Sequence, residues 1–162
     1  FKVSGAKQDT AVDFIETKVD GGESVVVFHR FSKEGVELAD RLRRKGIACV
    51  EFNGKTTEKN RTDARELFQS GEAKVIIMQI STGGMGISLD RAHTVLFYSM
   101  DFSLSNYQQA RDRVMGRFQK SDTVSYYYLA ADKSVDKKVI NTLKNNEDLA
   151  SLVSDKWKYI LE

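Results

Sequence analysis

The chain of 162 residues has no proline, a single cysteine, Cys49, and only two histidines, His29 and His93. One cysteine cannot close an internal disulfide, and two histidines with one thiol cannot assemble a His/Cys metal cluster. Cys49 is expected to be a small buried hydrophobe, and no metal ligand is assigned. No apolar run approaches membrane-spanning length, and the opening FKVSGAK lacks the hydrophobic stretch of a signal peptide. An intracellular domain is therefore expected. A net charge of +2 excludes a strongly basic protein, so any polyanion site must come from where the charges sit.

What is present is an ordinary globular composition, 41% apolar and 30% charged, in a length that fills one core and is short for two. Without proline or a low-complexity linker, one continuous domain over residues 1–162 is expected. Val12, Ile15 and Val19 recur at helical spacing and predict a helix over 8–19, broken at Gly21-Gly22. Val25 to Phe28 is a continuous β-branched and aromatic run, the pattern of a strand covered on both faces. The alternation then repeats. Helices are expected over 33–45, 57–69 and about 104–117, and strands over 47–52, 74–79, 94–98 and 124–129. Further helices are expected from Val135 to the C-terminus, the last carrying Trp157 and Tyr159. Strands alternating with helices predict an α/β fold, a three-layer sandwich whose mostly parallel sheet has helices on both faces. Function is expected where the strands end and the loops gather.

The stretch Phe52-Asn53-Gly54-Lys55-Thr56 resembles the close of a phosphate-binding loop, G-x-x-x-x-G-K-[ST]. The first glycine of that pattern would fall at position 49, which is Cys49. Val50, Glu51 and Phe52 look like the end of a strand, so half the loop is missing.

Three other loops stand out. His29-Arg30-Phe31-Ser32 is a basic and aromatic cluster at a helix start, or simply a helix entry with Ser32 as N-cap. Ser81 to Leu89 holds three glycines and three hydroxyl residues in nine positions. That composition suits close approach to an anion, and it equally suits a tight turn. Beyond them, Gln109, Arg113 and Arg117 lie in YQQARDRVMGRFQ. On one continuous helix Arg113 and Arg117, four apart, share a face, either aimed at phosphate or solvated beside Asp112.

Taken together and in order, these blocks resemble a family. SGAK with VVVFHRF, FNGKTTEKNR with RELFQSGEAKVIIMQ, STGGMGISLDRAHTVLFYSMD, YQQARDRVMGRFQ and SYYYLAADKSVDKKV are similar to the C-terminal RecA-like lobe of superfamily-two helicases. The similarity is greatest to Swi/Snf-type DNA translocases, and it spans about Ser4 to Val139. It implies the second lobe of an ATP-dependent motor, with ATP and Mg2+ held mainly by an N-terminal RecA-like lobe that this chain lacks. The isolated lobe is then expected to be inactive as an ATPase. The resemblance also implies residue roles. Arg113 matches the first arginine finger of the pattern Q-A-x-x-R-x-x-R-x-G-Q. The second finger position falls on Gly116, so Arg117 stands one place late. Gln109 opens the motif and is expected to couple nucleotide to DNA state. Gly84 and Gly86 approach the nucleotide cleft. His29, Arg30, Asn53, Gly54, Lys55, Ser81, Thr82 and Gly83 are expected along the backbone of duplex DNA, so the GKT wording is a decoy for ATP binding. The alternative is a catalytically inactive nucleic-acid-binding or scaffold module on the same fold, which the displaced arginine favours.

Overall fold

The computed structural model describes residues 5–84, 87–131 and 134–146. Helix α1 runs Gly5–Asp20, strand β1 Val25–His29, helix α2 Ser32–Arg44, strand β2 Cys49–Phe52 and helix α3 Glu58–Ser70. Strand β3, Val75–Gln79, passes into a 3-10 turn over Ile80–Gly84; β4 is Thr94–Phe97, α4 Leu104–Val114 and β5 Ser125–Tyr128. Residues 135–146 are helical as well. The five strands form one sheet in the order β2-β3-β1-β4-β5, and every pairing is parallel. The expected α/β sandwich is therefore found, and its sheet is wholly parallel among the described residues. The expected C-terminal helix with Trp157 and Tyr159 lies outside the described residues.

Alternation along β1 divides the core. Val25 and Val27 face one layer with Ala11, Val12 and Ile15 of α1 and Leu38, Ala39 and Leu42 of α2. Val26 and Phe28 face the other, with Phe68 of α3, Tyr107, Ala110 and Val114 of α4, and Val139 and Leu143. Side chains two apart on a strand point to the same face, so a strand buried on both faces must be apolar throughout. That requirement is what the unbroken VVVF run meets.

Element ends differ from the periodicity in informative ways. Ser32 is the first residue of α2, and the N-cap is Phe31. A phenyl ring accepts no amide, so the cap is completed from the other side: Phe31 N–H donates to the Glu34 carboxylate at 3.2 Å. Helix α3 has an ordinary cap, with the Thr57 hydroxyl accepting from Asn60 N–H, and it closes on Gly71 at φ 82°.

The largest departure is at α4, which stops at Val114, three residues before the expected end at 117. Its last carbonyls are taken by tertiary partners. Leu89 N–H donates to the Arg113 carbonyl at 3.1 Å, and Gln119 Nε2 donates to the Val114 carbonyl at 2.8 Å. A helix continuing past Val114 would need those acceptors for its own amides. A turn closed by Gln119 N–H on the Gly116 carbonyl follows instead. Arg113 and Arg117 therefore do not share a helical face; Arg117 sits exposed on that turn.

Candidate nucleic-acid and nucleotide interface

The loops after β2, β3, β1 and β4 emerge side by side at the C-terminal edge of the sheet, because those strands are parallel neighbours. Each expected site residue can be placed against that edge.

The FNGKT segment is a turn bonded to itself. Asn53 Oδ1 accepts from Lys55 N–H at 2.9 Å and from the Thr56 hydroxyl at 3.2 Å, and the Asn53 carbonyl accepts from Thr56 N–H at 3.0 Å. The Lys55 and Thr56 amides, which a phosphate-binding loop would aim at an anion, are engaged inside the turn. Asn53 thus builds the turn. Gly54 and Lys55 are its exposed tip, with open space over Gly54.

After β3, Ser81 is exposed, whereas Thr82 is buried and its hydroxyl donates to the Gln79 carbonyl at 2.5 Å. Of the two hydroxyls only that of Ser81 faces outward, and the expectation for the Thr82 side chain is corrected accordingly. Gly83 and Gly84 complete the 3-10 turn, and Gly86 lies outside the described residues.

After β1, His29 and Arg30 part company. His29 is 3% exposed, and its Nδ1–H donates to the Phe31 carbonyl at 3.0 Å. A carbonyl only accepts, so the neutral ring carries its proton on Nδ1. The opposite nitrogen, Nε2, lies where a Cβ on Gly35 would approach to 2.4 Å, so this glycine makes room for the ring. Burial pushes the His29 pKa down to about 4. The expected DNA contact from His29 is overturned by this burial; the side chain is an interior brace. Arg30 is exposed, with its guanidinium stacked 4.8 Å over the Phe31 ring.

Gln109 is exposed on α4 and donates to Ser105 Oγ at 3.2 Å, a bond within its own helix. Arg113 is half-buried and donates from Nη1 to the Ile87 carbonyl at 3.1 Å. Burial lowers its pKa, though a guanidinium stays charged at any physiological pH. Its Nε is buried without a hydrogen-bond partner among the described residues. Cys49 is half-buried; its thiol donates weakly to the Ala39 carbonyl at 3.7 Å, and burial raises its pKa.

Several cations along α1 and α2 are paired: Arg41 with Asp9, Arg43 with Glu51 at 2.9 Å and Lys7 with Asp136 at 2.6 Å, and Lys45, just past α2, pairs with Glu16 at 2.5 Å. No carboxylate among the described residues lies within 4.0 Å of the cationic groups of Arg30, Lys55, Arg113 or Arg117. A near-neutral chain thus keeps uncompensated positive charge on its loops. Among the described residues no group of three His, Cys, Asp or Glu side chains is placed to hold a metal ion, and no helix is long and apolar enough to cross a membrane.

Against known proteins, the model of the helicase conserved C-terminal domain matches residues 6–119. The chain belongs to that family. Its wholly parallel sheet among the described residues, with helices on both faces, is a RecA-like α/β fold. An uncharacterized ATP-dependent helicase of Mycoplasma pneumoniae is 24% identical over 155 residues, 94% of this chain and 15% of that protein. The chromatin-remodeling ATPase INO80 of Candida albicans is 25% identical over 135 residues, 82% of this chain and 10% of its own length. The crystal structure of the C-terminal part of the Fun30 ATPase domain superposes with a TM-score of 0.75 at 23% identity, covering 85% of this chain and 44% of that one. The helicase C-terminal domain thus spans about a tenth to a seventh of the length of these curated relatives.

Sequence reasoning missed the residues that hold the loops in place. Glu34, Gln79 and Ser99 bond across elements, and Ile87 offers only its main chain to Arg113. An ordinary Ser-x-x-Glu capping signature would have drawn attention to Glu34, but Phe31 stands at the cap.

Proposed function

We propose that this helicase C-terminal domain is the second motor lobe of an ATP-driven DNA translocase, a lobe that completes a nucleotide cleft with Arg113 and meets the DNA backbone with its loop edge. The observation that carries this reading is the half-buried guanidinium of Arg113, which has no carboxylate among the described residues to neutralise it and is held by the Ile87 carbonyl. Such a group is a preorganised receptor for an incoming anion, since its guanidinium is oriented by the Ile87 carbonyl and its charge is left uncompensated. In phosphoryl transfer an arginine finger neutralises charge that develops on the transferring group, and its rigid fork suits that task better than a lysine.

ATP and Mg2+ belong, in this reading, mainly to an N-terminal lobe joined to this one. Arg30, Lys55 and the Ser81 hydroxyl supply contacts to phosphates. Backbone contacts carry affinity without sequence information, so little sequence preference is expected. A second reading, a binding module without ATP turnover, draws on Arg117, which lies on a turn beyond α4 instead of on the helix.

The test is to join the domain to its P-loop lobe and measure ATP turnover with and without duplex DNA. DNA-stimulated turnover that collapses in Arg113→Ala supports the motor. DNA binding without turnover in the joined protein supports the module and sinks the motor reading.

A further inference from the structure

Glu34 is a buried carboxyl group, 7% exposed, one turn into α2. Burying such a group is costly unless its oxygens are bonded. Here one oxygen, Oε2, accepts from both Phe31 N–H, at 3.2 Å, and the Ser99 hydroxyl. The first bond is a local cap. The second crosses 65 residues of sequence to the loop that leads from β4 into α4.

Ser99 is itself buried, and its oxygen accepts from Arg30 N–H at 2.8 Å while its proton goes to Glu34. On the other side of the same residue, the Arg30 carbonyl accepts from Gln79 Nε2 at 3.1 Å. The Gln79 carbonyl in turn holds the Thr82 hydroxyl, which shapes the turn over Ile80–Gly84. Arg30 therefore has an exposed side chain, but both of its main-chain polar groups are clamped, one by the loop after β4 and one by the end of β3. Three adjacent loops meet in that one residue. A hydrogen-bonded serine that accepts on one side and donates on the other gives the chain a fixed direction, and Glu34 is its terminal acceptor.

We propose that Glu34 and Ser99 are positioning residues that lock the loops after β3, β1 and β4 into one phosphate-tracking surface, setting where the Arg30 guanidinium stands relative to the Ser81 turn. The proposal rests on the reading that this edge meets a nucleic-acid backbone. Neither Glu34 nor Ser99 touches the nucleic acid; each acts through Arg30.

Two measurements separate the proposal from that reading. The first is binding of the chain to a short duplex of arbitrary sequence over a series of salt concentrations. Loss of one phosphate contact lowers the slope of log K against log salt by about 0.9. Arg30→Ala should show that loss. Ser99→Ala should show the same loss, the double variant should add nothing to it, and Ser99→Thr, which keeps the hydroxyl, should restore the wild-type slope. Glu34→Gln keeps an acceptor oxygen and should resemble wild type, whereas Glu34→Met should resemble Ser99→Ala.

The second measurement is amide hydrogen exchange without DNA. In Ser99→Ala, and in Glu34→Met should the first variant fold poorly, exchange should quicken together in residues 30–31, 79–82 and 99–103, with the central strands unchanged. Faster exchange confined to residues 99–103, or a normal salt slope in Ser99→Ala, would overturn the relay while leaving the DNA reading intact. A wild-type chain without salt-dependent duplex binding overturns the DNA reading, and the exchange pattern still decides whether the three loops are coupled.

Discussion

The Nη1 of Arg113 lies 3.1 Å from the carbonyl of Ile87, and two residues on, Leu89 N–H returns a bond of 3.1 Å to the carbonyl of Arg113. The segment leaving the glycine-rich turn is thus stitched to the last turn of α4 from both directions. One bond orients the guanidinium and the other ends the helix that carries it. Position of the arginine and position of the loop cannot change independently.

Removal of that arginine should act on the transition state more than on ground-state binding. In the joined two-lobe protein, Arg113→Ala is expected to lower ATP turnover by about 10³–10⁵, the range for arginine fingers. ATP and DNA affinity should change far less. Arg113→Lys should not rescue, because an ammonium cannot keep the Ile87 bond and present a planar fork together. Arg117→Ala is expected to damage turnover as well, with the double variant little worse than the worse single, because groups acting on one transition state are not additive. Near-normal DNA-stimulated turnover in Arg117→Ala would make Arg117 a solvated charge on its turn.

Lys55 closes no phosphate loop, since its amide is bonded to Asn53 Oδ1. Lys55→Ala should leave nucleotide affinity in the joined protein unchanged while weakening duplex binding and reducing the salt slope by about one contact. Equilibrium titrations with a fluorescent nucleotide and with labelled duplex read the two effects separately. A collapse of nucleotide affinity would return the GKT segment to the nucleotide site.

His29 makes stability depend on acid. Its pKa is about 4 in the fold, pushed down by burial, against about 6.5 in an unfolded chain. The unfolded state therefore binds more protons across that interval, and stability is full above about pH 6.5 and falls as pH drops toward 4. The shift corresponds to ~3 kcal/mol over the whole window. Urea unfolding of the chain at pH 7, 5.5 and 4.5 should show this loss, and His29→Gln should flatten its part of the profile. An unchanged slope in the variant would assign the acid sensitivity to other groups.

Gly35 and His29 should be coupled. A methyl on Gly35 would stand 2.4 Å from Nε2 of a ring enclosed by the core, with little freedom to move. Gly35→Ala gains helix propensity, about 1 kcal/mol, yet should be net destabilising by about 1–3 kcal/mol through overpacking. Against His29→Ser the same substitution should be neutral or stabilising. Chemical denaturation of the two singles and the double measures the coupling, and additive effects would show that the ring is free to shift.

Much of this protein was legible before any tertiary structure. The unbroken VVVF and VIIM runs require strands covered on both faces, and the helical spacing between them requires a parallel α/β sheet, because each run can bury its residues only between two helical layers. The order of the loop motifs identified the family, since each motif is a local pattern bound to its own strand end. What local patterns do not contain is which way a side chain turns once neighbours arrive. His29 and Arg30 read alike as a basic pair, but strand alternation and the gap left by Gly35 send one inward and the other outward. Arg113 and Arg117 read as one helical face until Leu89 and Gln119 take the final carbonyls of α4. Glu34 and Ser99 read as ordinary polar residues until β1 and β4 pair and bring them together. Periodicity and motif order are properties of neighbouring residues and survive in the sequence. Helix ends and buried polar bonds depend on acceptors supplied from distant parts of the chain, and only the folded molecule brings those into range.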